Sequence, residues 1–189
     1  MNKKDGLEFL QQYDLPTIKL LGFEDVWNEP SLIDSGLSLR LANKNDGIDV
    51  MLPSKHNVTD MNDVLSFYQK YYRDYDILIH KTINPQIIGS ISKYLLSDYD
   101  TIVIEIFKDF YERQKGVIKE RVIITLLDKR IIKIDNQGII NKKILKEIME
   151  NIIDIPYDTF DLEFVYDNNL IFTDFYSKDF DISKKKIKD

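Results

Sequence analysis

Apolar residues recur at helical spacing in three separate parts of the chain. The clearest run lies at 60–72, a second at 140–152 places isoleucines on one face, and a short one at 5–13 turns Leu7 and Leu10 inward. Because a helix buries one face by repeating an apolar residue every three or four positions, these three segments are predicted to be helices.

Elsewhere the pattern changes to strict alternation, which is typical of half-buried strands. Strands are predicted over 17–22, 37–42, 48–52, 76–81, 86–94, 101–107, 121–127, 130–134, 161–166 and 170–176. The short connections between the later strands favour antiparallel pairing. The predicted fold class is α+β, with a mostly antiparallel sheet and two or three helices. We expect a single domain over 1–182 and a basic, frayed tail at 183–189.

The last two strands carry acidic residues that a hairpin brings together. If Asn168 and Asn169 form a two-residue turn, Glu163 lies directly opposite Asp174. Two facing carboxylates repel each other, and a bound Mg²⁺ would turn that repulsion into a binding site. The alternative is a solvated face on which the charges are screened, and a three-residue turn would separate the two side chains.

Composition narrows the classes of function. The 189 residues contain no cysteine and only two histidines, so a zinc site of the usual kind and a cysteine nucleophile are excluded. A net charge of −6 disfavours nucleic acid as a partner. The polar N-terminus and the absence of a run of roughly 20 apolar residues predict a cytoplasmic protein without a membrane span.

Six segments, in order along most of the chain, resemble the ATP-binding domain of the phosphoenolpyruvate synthase and pyruvate phosphate dikinase family, an ATP-grasp type of fold. They are Lys3 followed by Leu15-Pro16, the Arg-Ser-Ser-Ala-like strand Leu39–Asn43, the strand Ile77–Ile83 before the adenine hinge, Ile88–Ser92 after it, the strand Thr101–Ile106, and the hairpin around Glu163 and Asp174. The resemblance implies a reduced ATP-grasp-like fold that binds ATP with Mg²⁺.

The resemblance also implies roles for individual residues at the phosphate and adenine ends of the nucleotide. Arg40 would hold phosphates, with Lys3 as a weaker helper. The strand that contains His80 and Thr82 would supply the adenine edge through its backbone. The alternatives are a surface ion pair for Arg40 and a satisfied structural group for His80.

At the other end, the resemblance implies that Glu105 takes a ribose hydroxyl and that Glu163 and Asp174 hold the metal. Glu105 has a second interpretation as the polar side of a half-buried strand. The sequence departs from the family pattern at Leu41-Ala42, where the family has two serines, and at Tyr176, where it has an arginine. Only Gly47 stands in the region of the family's glycine-rich loop.

Two hypotheses of function follow. The first is binding of ATP with Mg²⁺, and the resemblance implies phosphoryl transfer to a separate acceptor or partner protein. No residue is assigned a catalytic role. The second is a non-catalytic binding or regulatory module that keeps the fold without the nucleotide, which the missing glycine-rich loop favours.

Overall fold

The computed structural model describes residues 1–44, 52–96, 99–126, 130–134 and 137–177. The chain divides into two compact units. The first contains Met1–Glu8 and Ile18–Asn84, and the second contains Phe9–Thr17 and Pro85–Asp189.

The first unit is built on a three-stranded antiparallel sheet. Its elements are helix α1 (Lys3–Gln12, of which only residues up to Glu8 belong here), α2 (Phe23–Asn28), a 3-10 helix (Pro30–Ile33), strands β1 (Leu37–Asn43) and β2 (Ser54–Val58), helix α3 (Met61–Tyr71) and strand β3 (Tyr75–Lys81). The strand order is β2-β1-β3, and both pairings are antiparallel.

One face of this sheet forms the core of the unit. Alternate residues of β1 pack with Ile79 of β3 and with Val64 and Phe67 of α3. Asp60 caps α3, because its carboxylate accepts a hydrogen bond from the backbone N–H of Asn62 at 2.9 Å. The opposite face of β1 therefore carries the polar side chains, among them Arg40.

The second unit is built on a six-stranded antiparallel sheet. Its elements are β4 (Ile87–Leu96), β5 (Tyr99–Phe107), α4 (Phe110–Gln114), β6 (Glu120–Thr125), β7 (Arg130–Ile134), α5 (Lys142–Ile152), β8 (Phe160–Asp167) and β9 (Asn169–Tyr176). The strand order is β7-β6-β5-β4-β8-β9. Helix α5 buries Ile144, Ile148 and Ile152, and its Glu147 accepts a hydrogen bond from the N–H of Leu170 at 2.9 Å, which joins α5 to β9.

Gly89 lets the ring of Phe164 pack closely against the backbone of β4. A Cβ atom at this position would lie 2.3 Å from the Phe164 ring and 2.8 Å from the carbonyl oxygen of Glu105. Both distances are shorter than van der Waals contact, so the ring of Phe164 fills the space that a side chain would need. The glycine is required because of packing rather than because of its backbone conformation.

The structure confirms the α+β class, the antiparallel pairing and the three predicted helices, which correspond to α1, α3 and α5. It adds two short helices, α2 and α4, to the two or three expected. The strand predicted at 17–22 is wrong, because only Thr17 and Leu21 make isolated bridges there, with Phe172 and Ile79 respectively.

The remaining predictions about elements fall partly outside the described residues. Residues 48–51 of the strand predicted at 48–52 lie outside them, and the strand that pairs with β1 is Ser54–Val58. The tail at 183–189 also lies outside them. The single domain over 1–182 stays a prediction.

Candidate functional site

Strand register places five polar side chains in one line across the six-stranded sheet. Ser90 is paired with Glu105 on one side and with Glu163 on the other. Glu105 is paired in turn with Arg121, and Glu163 with Asp174. Because directly paired residues project from the same face of a sheet, Arg121, Glu105, Ser90, Glu163 and Asp174 form one polar row.

The hairpin has the predicted pairing of Glu163 with Asp174, but its turn differs from the predicted one. The turn is not the predicted two-residue turn: Asp167 pairs with Asn169, and Asn168 alone lies between them with a φ of 64°. That register would bring Thr173 opposite Glu163, but a bulge between Phe172 and Asp174 shifts it by one residue. Glu163 therefore lies opposite Asp174 as predicted.

Two arginines neutralise the carboxylates of the row. Nη2 of Arg113, on α4, lies 2.5 Å from Oε1 of Glu163, and the two side chains are 28% and 24% exposed. Arg121 donates from both Nε and Nη2 to Oε1 of Glu105, at 2.8 and 2.5 Å. Charge-assisted bonds of this length in a half-buried place orient both glutamates.

The sequence did not predict either arginine, and the two differ in what could have found them. Arg121 lies opposite Glu105 in consecutive strands, so counting residues along that predicted pair would have brought them together. Arg113 lies in a five-residue helix, where no periodic pattern marks it. Ser90 was also missed, because its place in the row depends on the pairing of β4 with β8, which are distant in sequence.

The donor set around Glu163 and Asp174 suits a hard cation with few protein ligands. Asp174 is half-buried, and its Oδ1 accepts a hydrogen bond from the N–H of Phe175 at 3.0 Å. Within the part of the chain that the structure describes, no group of three or more acidic or histidine side chains is placed to hold a metal. Mg²⁺ typically takes one or two protein carboxylates and completes its shell with water and phosphate oxygens, so two carboxylates fit it.

The first unit contains the other predicted residues. His80 of β3 is opposite Ser38 of β1, on the face that lies away from the core. The His80 ring is 7% exposed, and its Nδ1 donates to the carbonyl oxygen of Lys81 at 2.8 Å. Burial lowers the pKa of His80 to about 4, and the positive charge of Arg40 adds to this shift, whereas the hydrogen bond to the Lys81 carbonyl opposes it. His80 is therefore neutral at pH 7, with an Nε2 acceptor that has no partner among the described residues.

Thr82, Arg40 and Lys3 also belong to the first unit. The Thr82 hydroxyl lies 3.1 Å from Ser38 Oγ and accepts from the N–H of Asn57 at 3.1 Å. Arg40 is opposite Ser54 in β2, and Lys3 begins α1. The predicted site residues thus fall into two sets, one in each unit: Arg40, Lys3, His80 and Thr82 in the first, and Glu105, Glu163 and Asp174 in the second.

A shallow cavity of about 190 Å³ lies in the second unit, and its lining includes Asp161 and Tyr176, which pair with each other two residues from Glu163 and Asp174. It is lined by Lys93, Tyr94, Thr159, Phe160, Asp161, Tyr176 and Ser177. Asp161 accepts a hydrogen bond from the Ser92 hydroxyl there, at 2.5 Å. The cavity contains none of the predicted site residues.

The fold is similar to that of several solved ATP-grasp proteins. ACD1 of Ca. Korarchaeum cryptofilum, in complex with coenzyme A, matches with a TM-score of 0.59 and 13% identity, over 93% of this chain and 91% of that one. N5-carboxyaminoimidazole synthetase of Staphylococcus aureus, complexed with ADP, matches with a TM-score of 0.56 and 11% identity, over 92% and 43%. Carboxyaminoimidazole ribonucleotide synthase of Aspergillus clavatus, complexed with ATP, matches with a TM-score of 0.55 and 11% identity, over 89% and 42%.

This likeness shows an ATP-grasp-like fold. The chain spans less than half the length of the two synthase chains. No family model matches the sequence, and no curated protein does. Membership of the phosphoenolpyruvate synthase family stays a prediction. Among the described residues, no helix has the length and apolar character needed to cross a bilayer.

Proposed function

We propose that this chain binds a nucleotide together with Mg²⁺, and that the nucleotide is ATP. The observation that carries the proposal is the Glu163–Asp174 pair on the polar row of the six-stranded sheet, in a chain with an ATP-grasp-like fold. Structural neighbours solved with ADP and with ATP support the choice of ligand.

In this proposal Glu163 and Asp174 hold the metal ion. Facing carboxylates on adjacent strands repel each other, and a divalent cation removes that repulsion while it leaves positions open for phosphate oxygens. When bound, the ion would neutralise charge on the phosphates. Arg113 forms an ion pair with Glu163, so its guanidinium must move away or bind the same carboxylate together with the metal.

Glu105 would bind a hydroxyl group of the ligand. Arg121 donates twice to Oε1 of Glu105, which fixes the direction of the carboxylate. A carboxylate held in this way accepts a hydrogen bond from a sugar hydroxyl. Serine at position 90 leaves room between the two glutamates, because its side chain is short.

Phosphoryl transfer would require an acceptor from outside the chain. We propose a separate small acceptor or a partner protein that supplies the accepting group. In such chemistry the protein mainly positions phosphates and neutralises charge.

A second candidate function is a binding or regulatory module that keeps this fold without a nucleotide. The two arginine pairs favour it, since Arg113 and Arg121 already neutralise Glu163 and Glu105 without any metal. A carboxylate with a permanent partner needs no cation for stability.

Thermal unfolding with and without Mg²⁺-ATP separates the two candidates. For the unaltered chain at 100 times the dissociation constant, binding should add about 2.7 kcal/mol and raise Tm by several degrees. The Glu163→Gln, Asp174→Asn double variant should lose the rise, because amides are poor ligands for Mg²⁺ and keep the volume of the side chains. Asp167→Asn, an exposed position on the same strand, is the matched control and should keep it.

The result is decisive in either direction. A rise that depends on Mg²⁺ and disappears only in the double variant supports the nucleotide site. No rise for the unaltered, folded chain at millimolar Mg²⁺-ATP eliminates nucleotide binding and leaves the regulatory module.

A further inference from the structure

Four aromatic rings form a continuous stack on the surface of the first unit. Trp27 and Phe23 lie four residues apart on one side of α2, with ring centroids 6.1 Å apart. Phe23 stacks on Tyr68 of α3 at 4.0 Å, and Tyr68 stacks on Tyr72 at 5.5 Å with ring planes 7° apart. These four residues are called the aromatic stack below.

The two ends of the aromatic stack are exposed to solvent. Trp27 is 53% exposed and Tyr72 is 41% exposed, whereas the two rings between them are half-buried. Phe23 packs against the core of the unit, which fixes the middle of the stack. Aromatic side chains that are exposed together, and not singly, are typical of an interaction surface.

The end of the aromatic stack at Trp27 is acidic. Residues 20–39 contain four acidic side chains and no lysine or arginine. Glu24 is exposed and precedes Trp27 by three positions on α2, so the two side chains are neighbours on the helix surface. Glu29, which is also exposed, follows at the end of the same helix. A partner that covers Trp27 therefore meets negative charge.

The end of the aromatic stack at Tyr72 is basic. The Arg73 guanidinium lies 5.7 Å from the centroid of the Tyr72 ring, and its Nε donates to the Tyr72 hydroxyl at 3.0 Å. Lys70 adds a second cation in the last turn of α3. Asp74 acts on Arg73 and offsets part of this charge. Two cations against one carboxylate leave this end positive.

An apolar surface with opposite charges at its two ends is complementary to itself. A two-fold axis through the middle of the aromatic stack brings the acidic end of one copy against the basic end of another. Each copy then places its Glu24 near the partner's Arg73, so the contact contains the same charge pair twice. The rings supply apolar area at the centre, and the charge pairs set the orientation.

We infer that the aromatic stack is a self-association surface, through which two copies of this chain pair about a two-fold axis. The surface uses none of the residues proposed to bind the nucleotide, so it goes beyond the proposed function and does not rest on it. An anionic membrane or a nucleic acid fits this surface poorly, because its Trp27 end is acidic and the whole chain has a net charge of −6. Four rings on each copy make a small interface, so the expected dissociation constant is on the order of 10 μM.

Sedimentation equilibrium of the full chain, from roughly 1 to 500 μM, measures the association. We expect a single monomer–dimer equilibrium. Trp27→Ala should weaken it by about tenfold or more, because an exposed tryptophan that becomes buried in an interface is a frequent hot spot. Tyr111→Ala removes an aromatic ring that is 63% exposed on the second unit, and this control should stay within about twofold of the unaltered chain.

Charge reversal tests the two-fold arrangement with a readout that a merely structural role would not change. Glu24→Arg and Arg73→Glu should each weaken self-association by about tenfold or more, because both charge pairs of the contact become repulsive. An equal mixture of the two variants restores opposite charges in both pairs. The mixture should therefore form a heterodimer within about threefold of the affinity of the unaltered chain.

Fluorescence gives a second measurement at the same surface. Trp27 is the single tryptophan of the chain, so its emission reports on the aromatic stack alone. Emission should shift to shorter wavelength as the protein concentration rises through the dissociation constant, because dimerisation removes the indole ring from water. The shift should disappear in Arg73→Glu and return when Glu24→Arg is added.

Three results would overturn the inference. The first is a chain that stays monomeric over the whole concentration range. The second is a dimer that Trp27→Ala leaves unchanged, and the third is a mixture of the two charge variants that stays monomeric. A monomeric chain whose Trp27 emission shifts on phosphatidylserine vesicles would identify a lipid surface as the occupant and would also overturn it. Each of these results leaves the Mg²⁺-ATP experiment on Glu163 and Asp174 unaffected.

Discussion

At the scale of single residues, the glutamates of the polar row are already paired. In the second unit each glutamate of the polar row that faces Ser90 has an arginine partner. A glutamate that is paired with an arginine must be released from that partner before it binds a ligand.

Replacement of Arg113 by glutamine should strengthen binding of Mg²⁺. If Glu163 holds Mg²⁺ as proposed, the guanidinium competes with the metal for that carboxylate. Release of a partly exposed ion pair is worth about 1 kcal/mol or less, so the dissociation constant for Mg²⁺ should fall by a factor of roughly two to five. Calorimetric titration with MgCl₂ measures it. Lys115→Gln removes the same charge from a neighbouring position and should have little effect. Equal or weaker binding by Arg113→Gln would show that Arg113 does not compete.

His80 should make stability depend on pH below neutrality. Its pKa is lowered to about 4 from 6.5, so the unfolded chain binds the proton first as the pH falls. The free energy of unfolding should therefore decrease by about 3 kcal/mol between pH 6.5 and pH 4, on top of other titrations.

The variant His80→Asn isolates this term. Asparagine keeps a donor for the Lys81 carbonyl but does not titrate, so urea unfolding of the variant should show a shallower pH dependence over that range. Parallel curves for the two proteins would mean that His80 is protonated in the folded state without penalty. Arg40, Lys3 and the titratable His56 are the neighbours that act on His80, and they remain in both proteins.

The residue scale also shows where sequence reasoning succeeded. Glu163 and Asp174 were placed opposite each other because alternation and turn residues define the faces of a hairpin. The partners of the glutamates were not predicted for two reasons. Arg113 lies in a helix too short to leave a pattern, and the Glu105–Arg121 pair depends on a register that was not counted.

At the scale of elements, the hairpin of β8 and β9 depends on two compensating irregularities. A turn centred on Asn168 shifts the register one way, and the bulge at Thr173 shifts it back. The predicted two-residue turn was wrong, whereas the predicted pairing of Glu163 with Asp174 was correct. The error arose because a bulge adds a residue that cannot be recognised in an alternating sequence.

Asn168 should be replaceable by glycine but not by alanine. Its φ of 64° lies in the left-handed region, which glycine adopts freely, asparagine tolerates and alanine disfavours by about 1–2 kcal/mol. Denaturant unfolding should therefore show Asn168→Ala less stable by about 1 kcal/mol and Asn168→Gly unchanged or more stable. Equal stabilities for the two variants would contradict this account of the turn.

Gly89→Ala should destabilise the second unit through overpacking. The new methyl group would lie 2.3 Å from the ring of Phe164, so we expect a loss of roughly 1–3 kcal/mol in unfolding free energy. A double-mutant cycle with Phe164→Leu provides the check. The smaller side chain should relieve part of the loss, and strict additivity of the two changes would rule out a clash between them.

Short elements explain most of what the sequence missed at this scale. Helices α2 and α4 have six and five residues, less than the two turns that a helical period needs to be seen. The three helices found from their pattern have ten or eleven residues each. The false strand at 17–22 alternates like a strand, but Thr17 and Leu21 pair with different units of the chain.

At the scale of the whole molecule, each sheet has interior strands and edges of different exposure. Strands β4 and β5 lie between two neighbours, whereas β7 is an edge that exposes Ile131 and Ile132. β2 is the corresponding edge of the smaller sheet and is exposed along most of its length.

Hydrogen exchange should follow this order. Amides in β4, β5 and β8 should exchange most slowly in the second unit and those of β7 early, because edge strands open with less loss of buried apolar area. Within the first unit, β1 should be protected longer than β2. Exchange measured by NMR tests both comparisons, and protection of β7 equal to that of β5 would contradict the assignment of the edge.

The α+β fold class and the antiparallel pairing were predictable, because alternation and short connections are visible in short stretches of sequence. The strand order was not, since β4 lies between β5 and β8, and roughly half of the second unit separates β4 from β8 along the sequence. That pairing sets Gly89 against Phe164, a contact that leaves no local signal in the sequence. The polar row exists only because of it.

The spacing of the strands also sets the length of a ligand that could reach along the polar row. Neighbouring strands lie about 4.8 Å apart, so Glu105 and Glu163, which are separated by β4, are roughly 10 Å apart along the row, and Asp174 lies about 5 Å further. A single phosphate is too short to touch both ends. If the row binds a ligand as proposed, a molecule that engages both ends must be elongated, with a hydroxyl at one end and metal-bound oxygens at the other, so strand spacing would restrict the ligand by length.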